Sequence, residues 1–342
     1  MSTTRHQFDE LDRRIIVALQ TDGRASWTEI AERCGAPLAT VTRRGQQLLA
    51  SGAVRVGVSS DINSPAAADM FVLRIGCRAG TQMQVARALA ERANLRFLCL
   101  VTGSFDLLAE LVCRKSESLH VRLINEIQAI DGVEVCESAP VLHTYKVTQS
   151  WAQGLFSASE PTTVPVAEPH SCDPSHLDAT DLRIIEQLRE DGRASFRSVA
   201  EVLGVNESTV RRRFESMRER GCAWVLTLVA ASALGFESEL ILNISVSPSR
   251  LDAVAHELAT YVGVRYLAAT LDCSLICEVI MPSTQDVYDF VTQGLGKIDG
   301  VLGWAANVEL LTLRRGFLET PWWKSMADGE DGVARGGVTR ST

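Results

Sequence analysis

Apolar residues near the start of the chain follow the spacing of an amphipathic helix. Leucine and isoleucine side chains between residues 11 and 19 fall on one helical face. Ser26, with Glu29 three positions later, predicts a capping box at the start of a second, short helix. Gly35 supplies a tight turn, and a third helix is expected to begin near Pro37. Together these signals predict a helix-turn-helix arrangement.

The same pattern begins again 169 residues later, counted from residue 22 to residue 191. The stretch DGRAS occupies residues 22–26 and returns at residues 191–195, and the flanking sequences align without a gap. Gly204 again supplies the turn. Further on, IDGV occurs at residues 130–133 and 298–301, so the repeated unit extends well beyond the three helices.

The third helix of each unit carries the residues that indicate DNA binding. In the second unit Asn206 is its expected N-cap, and Val210, Phe214 and Met217 form its buried stripe. The other faces carry hydroxyl and arginine side chains, which suit phosphate contacts and recognition of guanine in a major groove. The candidate DNA-contacting residues are Thr40, Thr42, Arg43 and Arg44 in the first unit and Ser208, Thr209, Arg211, Arg212 and Arg213 in the second. The alternative is that the three helices only pack against each other and do not bind DNA. The arginines would then form a solvent-exposed face.

One position in the third helix differs sharply in size between the two units. Gly45 stands where the second unit has Phe214. We expect Gly45 to leave a hole in the buried stripe and to cost roughly 1 kcal/mol in helix propensity. The first helical trio is therefore predicted to be the less stable of the two.

Downstream of each trio, short apolar runs alternate with helical patterns. In the first unit the predicted strands are residues 54–58, 71–75, 97–102, 107–112 and 139–147, and the predicted helices are 83–92 and 119–130. In the second unit the predicted strands are 240–246, 264–270, 275–280 and 306–313, and the predicted helices are 251–261 and 287–298. The resulting fold class is α+β, with a ferredoxin-like βαββαβ domain after each (winged) helix-turn-helix domain.

These elements divide the chain into domains and connections. The helix-turn-helix domains are predicted at residues 1–58 and 177–228, and the α+β domains at 66–148 and 236–318. Residues 149–176, rich in Ser, Pro and Glu, are expected to form a flexible linker, and residues 320–342 a flexible tail. Trp322 and Trp323 are expected to pack the chain end against the sheet.

Composition and charge limit the classes of protein that remain. The net charge of −8 does not favour nucleic acid, because DNA binding uses Lys and Arg, so the local arginine clusters must decide. The nine cysteines form no CxxC pair and have no histidine at zinc spacing, so no disulfide framework, metal or cofactor is expected. The sequence contains neither a bilayer-spanning apolar run nor a secretory signal, which predicts a cytoplasmic protein without a membrane partner.

The combination of motifs resembles the leucine-responsive regulatory protein / AsnC family, also called feast/famine regulators. Its marks are the helix that runs into DGR, the Thr40-Val41 and Arg43-Arg44 pairs, the turn at residues 102–106 and the turn at 130–133. The resemblance covers nearly all of both halves and implies a transcriptional regulator of double-stranded DNA, not an enzyme. Family members are usually single units that pair through the α+β domain. The chain therefore resembles a covalently linked dimer, a pseudo-dimer open to self-association into a higher homo-oligomer.

The resemblance also implies a small-molecule effector, an amino acid or a similar metabolite. The implied contacts lie in the turn between the two central strands and are Thr102, Gly103, Ser104 and Asp106. An ordinary hairpin turn is the alternative. The second unit has TLDCS at residues 270–274, without the glycine and the final aspartate, so its pocket must bind differently or be inactive. We therefore expect sensing mainly in the first half and DNA affinity mainly in the second.

Two other functions fit the same architecture. Siroheme decarboxylases resemble these regulators and use paired units on a tetrapyrrole, but the six dispersed histidines and the arginine-bearing helices favour DNA. A metabolite-binding protein that has lost DNA binding would fit the acidic net charge. Salt-dependent DNA affinity separates this last reading from the regulator.

Overall fold

Three short helices open the chain in the computed structural model, which describes residues 8–60, 68–92, 94–148, 150–157 and 176–323. They are α1 (Glu10–Thr21), α2 (Trp27–Cys34) and α3 (Leu38–Ala50). Ser26 and Glu29 form the predicted capping box at the start of α2. Gly35 ends α2 in the left-handed region, with a φ of 57° that favours glycine.

The same trio returns in the second half. Its helices are α7 (Ala179–Glu190), α8 (Phe196–Leu203) and α9 (Glu207–Glu219). The Ser195 side chain caps α8 by accepting from the backbone N–H of Ser198, and Gly204 ends α8 in the left-handed region. Asn206 is the N-cap residue of α9 as predicted, although its side chain makes no capping hydrogen bond.

The space beside Gly45 is filled by an aromatic ring from α2. A Cβ at residue 45 would lie 2.1 Å from Cζ3 of Trp27. The second half divides the same volume differently, because Phe214 on α9 packs against Phe196, the counterpart of Trp27, at 5.5 Å between ring centroids. The prediction of a hole in the buried stripe of α3 is therefore wrong. The predicted stability order now rests only on the helix-propensity cost of Gly45 inside α3, and it stays a prediction.

A strand follows each trio, and the two strands form a ribbon that joins the helical domains. β1 (Val54–Ser60) and β6 (Ala223–Val229) pair antiparallel along their full length, with Gly57 opposite Leu226. The Thr227 hydroxyl of β6 donates to the Leu19 carbonyl of α1 at 2.7 Å. The sequence patterns predicted β1 but not β6.

The remaining elements follow the same order in both halves. The first half contains β2 (Ala68–Cys77), α4 (Gln82–Ala90), β3 (Leu95–Val101), β4 (Leu107–Arg114), α5 (Leu119–Val121) continued by a π-helical turn (Arg122–Gln128), and β5 (Val133–Val147). The second contains β7 (Ser238–Val246), α10 (Leu251–Ala259), β8 (Val264–Thr270), β9 (Ser274–Met281), α11 (Thr284–Asp289) continued by π-helical (Phe290–Gly294) and 3-10 (Leu295–Lys297) turns, and β10 (Val301–Arg315). Further 3-10 turns lie at Ala231–Leu234 and Pro248–Arg250, and a short β11 (Leu318–Glu319) pairs with β10.

Eight of these strands close into one antiparallel barrel. Its order is β10-β3-β4-β2-β5-β8-β9-β7, and β7 pairs back with β10. The halves are joined where β5 pairs with β8 and where β10 pairs with β3. The helices cover the outside of the barrel, whereas Val72, Phe97, Tyr266 and their neighbours fill the inside. A closed barrel leaves no unpaired strand edge, so both halves belong to one sheet.

Part of the expected linker is helical. α6 (Trp151–Ser157) follows β5 closely and buries Trp151 and Ala152 against the first trio. The backbone N–H of Ala152 donates to the Gln20 side chain at 3.3 Å. The prediction of an unstructured segment is therefore wrong here, because a short apolar helix packs on a domain already formed. The rest of that predicted linker, residues 158–175, lies outside the described residues.

The end of the described chain is packed rather than extended. Thr320 is buried, and Trp323 packs among the helices on the outer side of the first half. Trp322 packs beside Leu226 and Leu318, so the packing expected of both tryptophans is confirmed. The predicted tail therefore begins later than residue 320, and residues 324–342 lie outside the described part.

Two expectations from composition concern cysteines and membranes. The eight cysteines in the described residues are free thiols, most of them buried. Across the described ranges, no helix is long and apolar enough to span a bilayer.

Candidate nucleic-acid interface and effector site

Helices α3 and α9 turn their polar faces away from the helical cores. The exposed or half-exposed candidates are Thr40, Thr42 and Arg43 on α3 and Ser208, Thr209, Arg211 and Arg212 on α9. Arg43 bonds to Gln47 one turn later at 3.2 Å, and Arg211 pairs with Glu207 at 2.9 Å. Such exposed pairs along one helix contribute little to stability, so the arginine can leave its partner for a phosphate or a base. Within the described residues Arg212 makes no hydrogen bond or ion pair, so α9 offers the stronger cationic face.

Two of the predicted contacts are engaged inside their own domain. Arg44 pairs with Asp9 and lies 3.1 Å from a carboxylate oxygen of Asp12, both near the start of α1. Arg213 makes the equivalent pairs with Asp178 at 2.7 Å and Asp181 at 3.0 Å. Both guanidinium groups therefore hold the third helix against the first. They lie on the flank of the third helix, where the aspartates at the start of the first helix attract them, and their contact with DNA stays a prediction.

The two DGRAS stretches clasp each other across the molecule. Each arginine reaches into the opposite stretch and donates to two backbone carbonyls. Arg24 donates to the carbonyls of Gly192 and Ala194, and Arg193 donates to those of Gly23 and Ala25, all within 3.0 Å. The Arg24 guanidinium also stacks on Phe196 and that of Arg193 on Trp27, each 4.4 Å from the ring centroid. Burial lowers the pKa of Arg24 to about 10. This clasp, together with the β1–β6 ribbon, fixes α3 relative to α9.

Sequence reasoning found this motif but missed its role. The repeat of DGRAS is visible in the sequence. The reciprocal contact between its two copies is visible only in the structure. Gly192 shows why the sequence is restricted there, because a Cβ would come within 2.8 Å of the Gly57 backbone. The motif therefore serves the contact between the two helical domains.

The turn at residues 102–106 lies against the other half of the barrel. The Asn307 amide of β10 donates to the Thr102 carbonyl at 2.6 Å. Gly103 has a φ of 113°, and a Cβ there would lie 2.2 Å from the same amide. Glycine is therefore required both by the backbone and by the close approach of Asn307.

The predicted effector carboxylate has partners in its own half. Asp106 accepts from the backbone N–H of Cys77 at 2.7 Å and from the Gln82 side chain at 3.3 Å. These bonds hold the turn against β2 and the start of α4. The structure brings Thr102, Gly103, Ser104 and Asp106 together in one turn beside the junction of the halves.

The equivalent turn in the second half is closed by an ion pair. Asp272 pairs with the buried Arg74 of β2, whose guanidinium also donates to the Asn243 side chain at 2.7 Å. Asn243 in turn donates to Asn307 at 3.2 Å. The carboxylate of the second turn is therefore paired with a residue of the first half of the chain.

A set of charged groups that sequence reasoning missed lies inside the barrel, at the end facing the ribbon. Arg96 pairs with Glu110, and Arg265 pairs with Glu278 at the equivalent place in the second half. An enclosed cavity of about 60 Å³ lies beside these pairs, and its wall includes Tyr266. Each pair joins two consecutive strands, but no local pattern shows that the two pairs, which belong to different halves of the chain, line the same cavity.

Comparison with known families assigns both kinds of domain. Residues 8–49 and 177–218 each match the AsnC-type helix-turn-helix domain, and residues 70–151 match the Lrp/AsnC ligand binding domain. An HTH-type transcriptional regulator of Pyrococcus furiosus is 35% identical over 127 residues, which is 86% of that protein and 36% of this chain. The chain belongs to the Lrp/AsnC family.

Another relative shows the same relation of lengths. The HTH-type transcriptional regulator FL11 of Pyrococcus abyssi is 33% identical over 147 residues, which covers 95% of that protein but 42% of this chain. Each such Lrp/AsnC relative thus corresponds to about one half of the present chain.

A solved structure matches nearly the whole chain. The siroheme decarboxylase NirDL, determined with an iron-uroporphyrin III analogue, aligns with a TM-score of 0.58 over 94% of this chain and all of that chain. At 12% sequence identity the match shows a shared fold. The fold formed by the two halves together is therefore also found in another protein chain.

Proposed function

We propose that this Lrp/AsnC-family chain is a transcriptional regulator whose two helix-turn-helix domains bind double-stranded DNA together. The observation that carries the proposal is the pair of exposed arginine-bearing helices, α3 and α9, held by one ribbon and one reciprocal arginine clasp. A fixed spacing between two such helices suits two half-sites on one duplex. The names of the relatives as HTH-type regulators support it.

We assign the DNA contacts to the free faces of the third helices. These are Thr40, Thr42 and Arg43 on α3 and Ser208, Thr209, Arg211 and Arg212 on α9. Arg44 and Arg213 are assigned a positioning role, since each is paired with two aspartates. Because α9 exposes two of the assigned arginines and α3 one, the second domain is expected to contribute more of the affinity.

The decisive experiment uses 30-base-pair duplexes selected from a random library by the wild-type protein. The double variant Arg211→Ala, Arg212→Ala should weaken binding in fluorescence anisotropy by at least about tenfold, since each good arginine contact contributes about 1–3 kcal/mol. It should also reduce the slope of log K against log salt by about two. Arg250→Ala, an exposed arginine on the barrel, is the matched control and should change neither quantity. Unchanged binding by the double variant, or no enriched duplex at all, refutes the assignment.

We further infer that a small molecule, an amino acid or a similar metabolite, modulates this binding from the turn at residues 102–106. Thr102, Gly103, Ser104 and Asp106 are the proposed contacts, and the match of residues 70–151 to a ligand binding domain supports them. A thermal-shift screen of amino acids, repeated on Asp106→Asn, tests the site. An effector response that survives this variant contradicts the assignment.

We infer that residues 236–318 are a second, diverged copy of the α+β domain. The same element order supports this, and so does one repeated contact. Lys146 of β5 donates to carbonyls at the end of α10, and Arg314 of β10 donates to carbonyls at the end of α4. The pairing of β5 with β8 and of β10 with β3 supports a pseudo-dimer within one chain.

The second candidate function, siroheme decarboxylation, is favoured by the fold match to NirDL alone. The four described histidines, His120, His143, His176 and His256, are exposed and absent from the walls of the barrel cavity. Addition of siroheme, followed by absorbance and carbon dioxide release, distinguishes the two functions. Turnover would favour the enzyme.

A further inference from the structure

Five charged side chains meet at the end of the barrel that faces the β1–β6 ribbon. Arg265 pairs with Glu239 at 2.9 Å and also with Glu278. Arg315 pairs with Glu278 at 2.8 Å and with Glu309 at 3.0 Å. One carboxylate oxygen from each of the three glutamates lies within 4.8 Å of one oxygen of each of the other two. Two arginines and three glutamates leave one negative charge in excess when all are ionised.

The excess charge belongs to Glu309. Its Oε1 accepts from Arg315 and from the Thr312 hydroxyl, whereas Oε2 has no hydrogen-bond partner among the described residues. The side chain is only 2% exposed, and its nearest other cation, Nη2 of Arg265, lies 3.8 Å from Oε2. Burial, aided by the nearby Glu239 and Glu278, raises the pKa of Glu309 to about 8. A buried carboxylate oxygen that accepts no hydrogen bond is unfavourable, so Oε2 of Glu309 lacks a donor.

A cleft of about 190 Å³ adjoins this cluster. Its walls include Glu239, Glu309 and both arginines, and the indole of Trp322 lies on the same wall. The volume is sufficient for a small organic molecule. We propose that the cleft binds a small primary amine cation, with the ammonium group paired to Glu309 and the apolar stem against Trp322.

The composition of the cluster favours an ammonium group over a divalent metal. Two guanidinium groups bond to the same carboxylates that a metal would need, and they repel a doubly charged ion. One excess negative charge matches one positive charge. An ammonium group has three donors, one of which can supply the hydrogen bond that Oε2 of Glu309 lacks.

Within the described ranges, the cluster occurs in the second half of the chain and not at the equivalent place in the first. The positions on β5 that correspond to Glu309 and Arg315, 168 residues earlier, are Val141 and Val147. The cleft also touches Val229 at the end of β6 and Ser232 just after it. An occupant would therefore contact both the barrel and the ribbon that carries the helical domains. Any effect on DNA rests on the proposed regulator function, whereas amine binding does not.

The test is calorimetry on the full chain with propylammonium chloride, balanced against sodium chloride at equal ionic strength. We expect one site per chain with a dissociation constant between about 0.1 and 10 mM, the range for a ligand of four heavy atoms. The neutral analogue 1-propanol should not bind. At pH 7, titrations in two buffers should show release of up to one proton per amine, because Glu309 must ionise to pair with it.

Variants decide whether Glu309 is the partner. Glu309→Gln should weaken amine binding at least tenfold, and the exposed Glu137→Gln should leave it unchanged. Glu309→Asp retains the charge and should retain measurable binding, so it decides the question if Glu309→Gln does not fold. Equal binding of propylammonium and 1-propanol, or full binding by Glu309→Gln, overturns the proposal. DNA affinity measured on the same samples without amine tests the regulator function separately.

Discussion

At the scale of single residues, Gly45 and Trp27 illustrate how two positions share one volume. The ring of Trp27 occupies the place of a side chain at residue 45, and Arg193 stacks on the same ring. Gly45→Ala should therefore lower the free energy of unfolding by about 1–3 kcal/mol, because the added Cβ must displace the ring. The gain in helix propensity, up to about 1 kcal/mol, acts in the opposite direction. Urea unfolding of variant and wild type measures the difference.

Gly303→Ala is the matched control for this substitution. A Cβ at residue 303 meets nothing within 4 Å, so the change should be nearly neutral. Stabilisation by Gly45→Ala would mean that the Trp27 ring moves without loss, and the shared-volume explanation would then be wrong.

At the scale of elements, the arginine clasp connects two helical domains that share few other side-chain bonds. Arg193→Ala removes two charge-assisted bonds to carbonyls and the stack on Trp27. Each such bond contributes about 1.5–3 kcal/mol at most, so we expect a loss of about 2–4 kcal/mol in unfolding free energy. Because only Arg24 and the β1–β6 ribbon then hold the spacing of the two domains, affinity for a duplex with two half-sites should fall more than affinity for one half-site.

Arg197→Ala is the control for the clasp. Arg197 lies four residues further along, is exposed and pairs only with Glu201 on the same helix. Its removal should change stability by less than about 0.5 kcal/mol. If Arg193→Ala weakens binding to both duplexes equally, the clasp does not set the spacing.

The helical domains could be predicted from sequence because their signals are local. Ser26, Glu29, Gly35 and Gly204 each determine a cap or turn within a few residues, and all four are found where predicted. The α6 helix was missed because seven residues carry too little periodicity, and its stability comes from packing on α1. The ion pair of Arg44 could not be predicted for a related reason, since its partner Asp9 is distant in sequence.

At the scale of the whole molecule, the barrel depends on pairings between the halves. The strands themselves were predictable from apolar runs, but β5 pairs with β8 across more than a hundred residues. The charged groups inside the barrel become neighbours only through that closure. Glu309 and Arg265 illustrate the limit, since in the sequence each is an ordinary charged residue in a strand.

Closure also leaves one apolar surface outside the barrel, which we call the β10 stripe. Its members are Leu302, Trp304, Val308 and Leu310, between 42% and 72% exposed. The positions on β5 that correspond to them, 168 residues earlier, are Glu134, Cys136, Pro140 and Leu142. A large exposed apolar patch typically marks a contact surface, and at the four equivalent positions of β5 only Leu142 is a large exposed hydrophobic side chain.

We therefore propose that two chains pair through the β10 stripe. A two-fold contact uses the stripe of both copies and closes the assembly at two. Light scattering after size exclusion should give twice the chain mass of 37.3 kDa for the wild type and one chain mass for Trp304→Glu. Ser138→Glu, on the polar face of β5, should leave the pair intact. A wild type that stays single at micromolar concentration, or a Trp304→Glu variant that still pairs, would show that the stripe is not the interface.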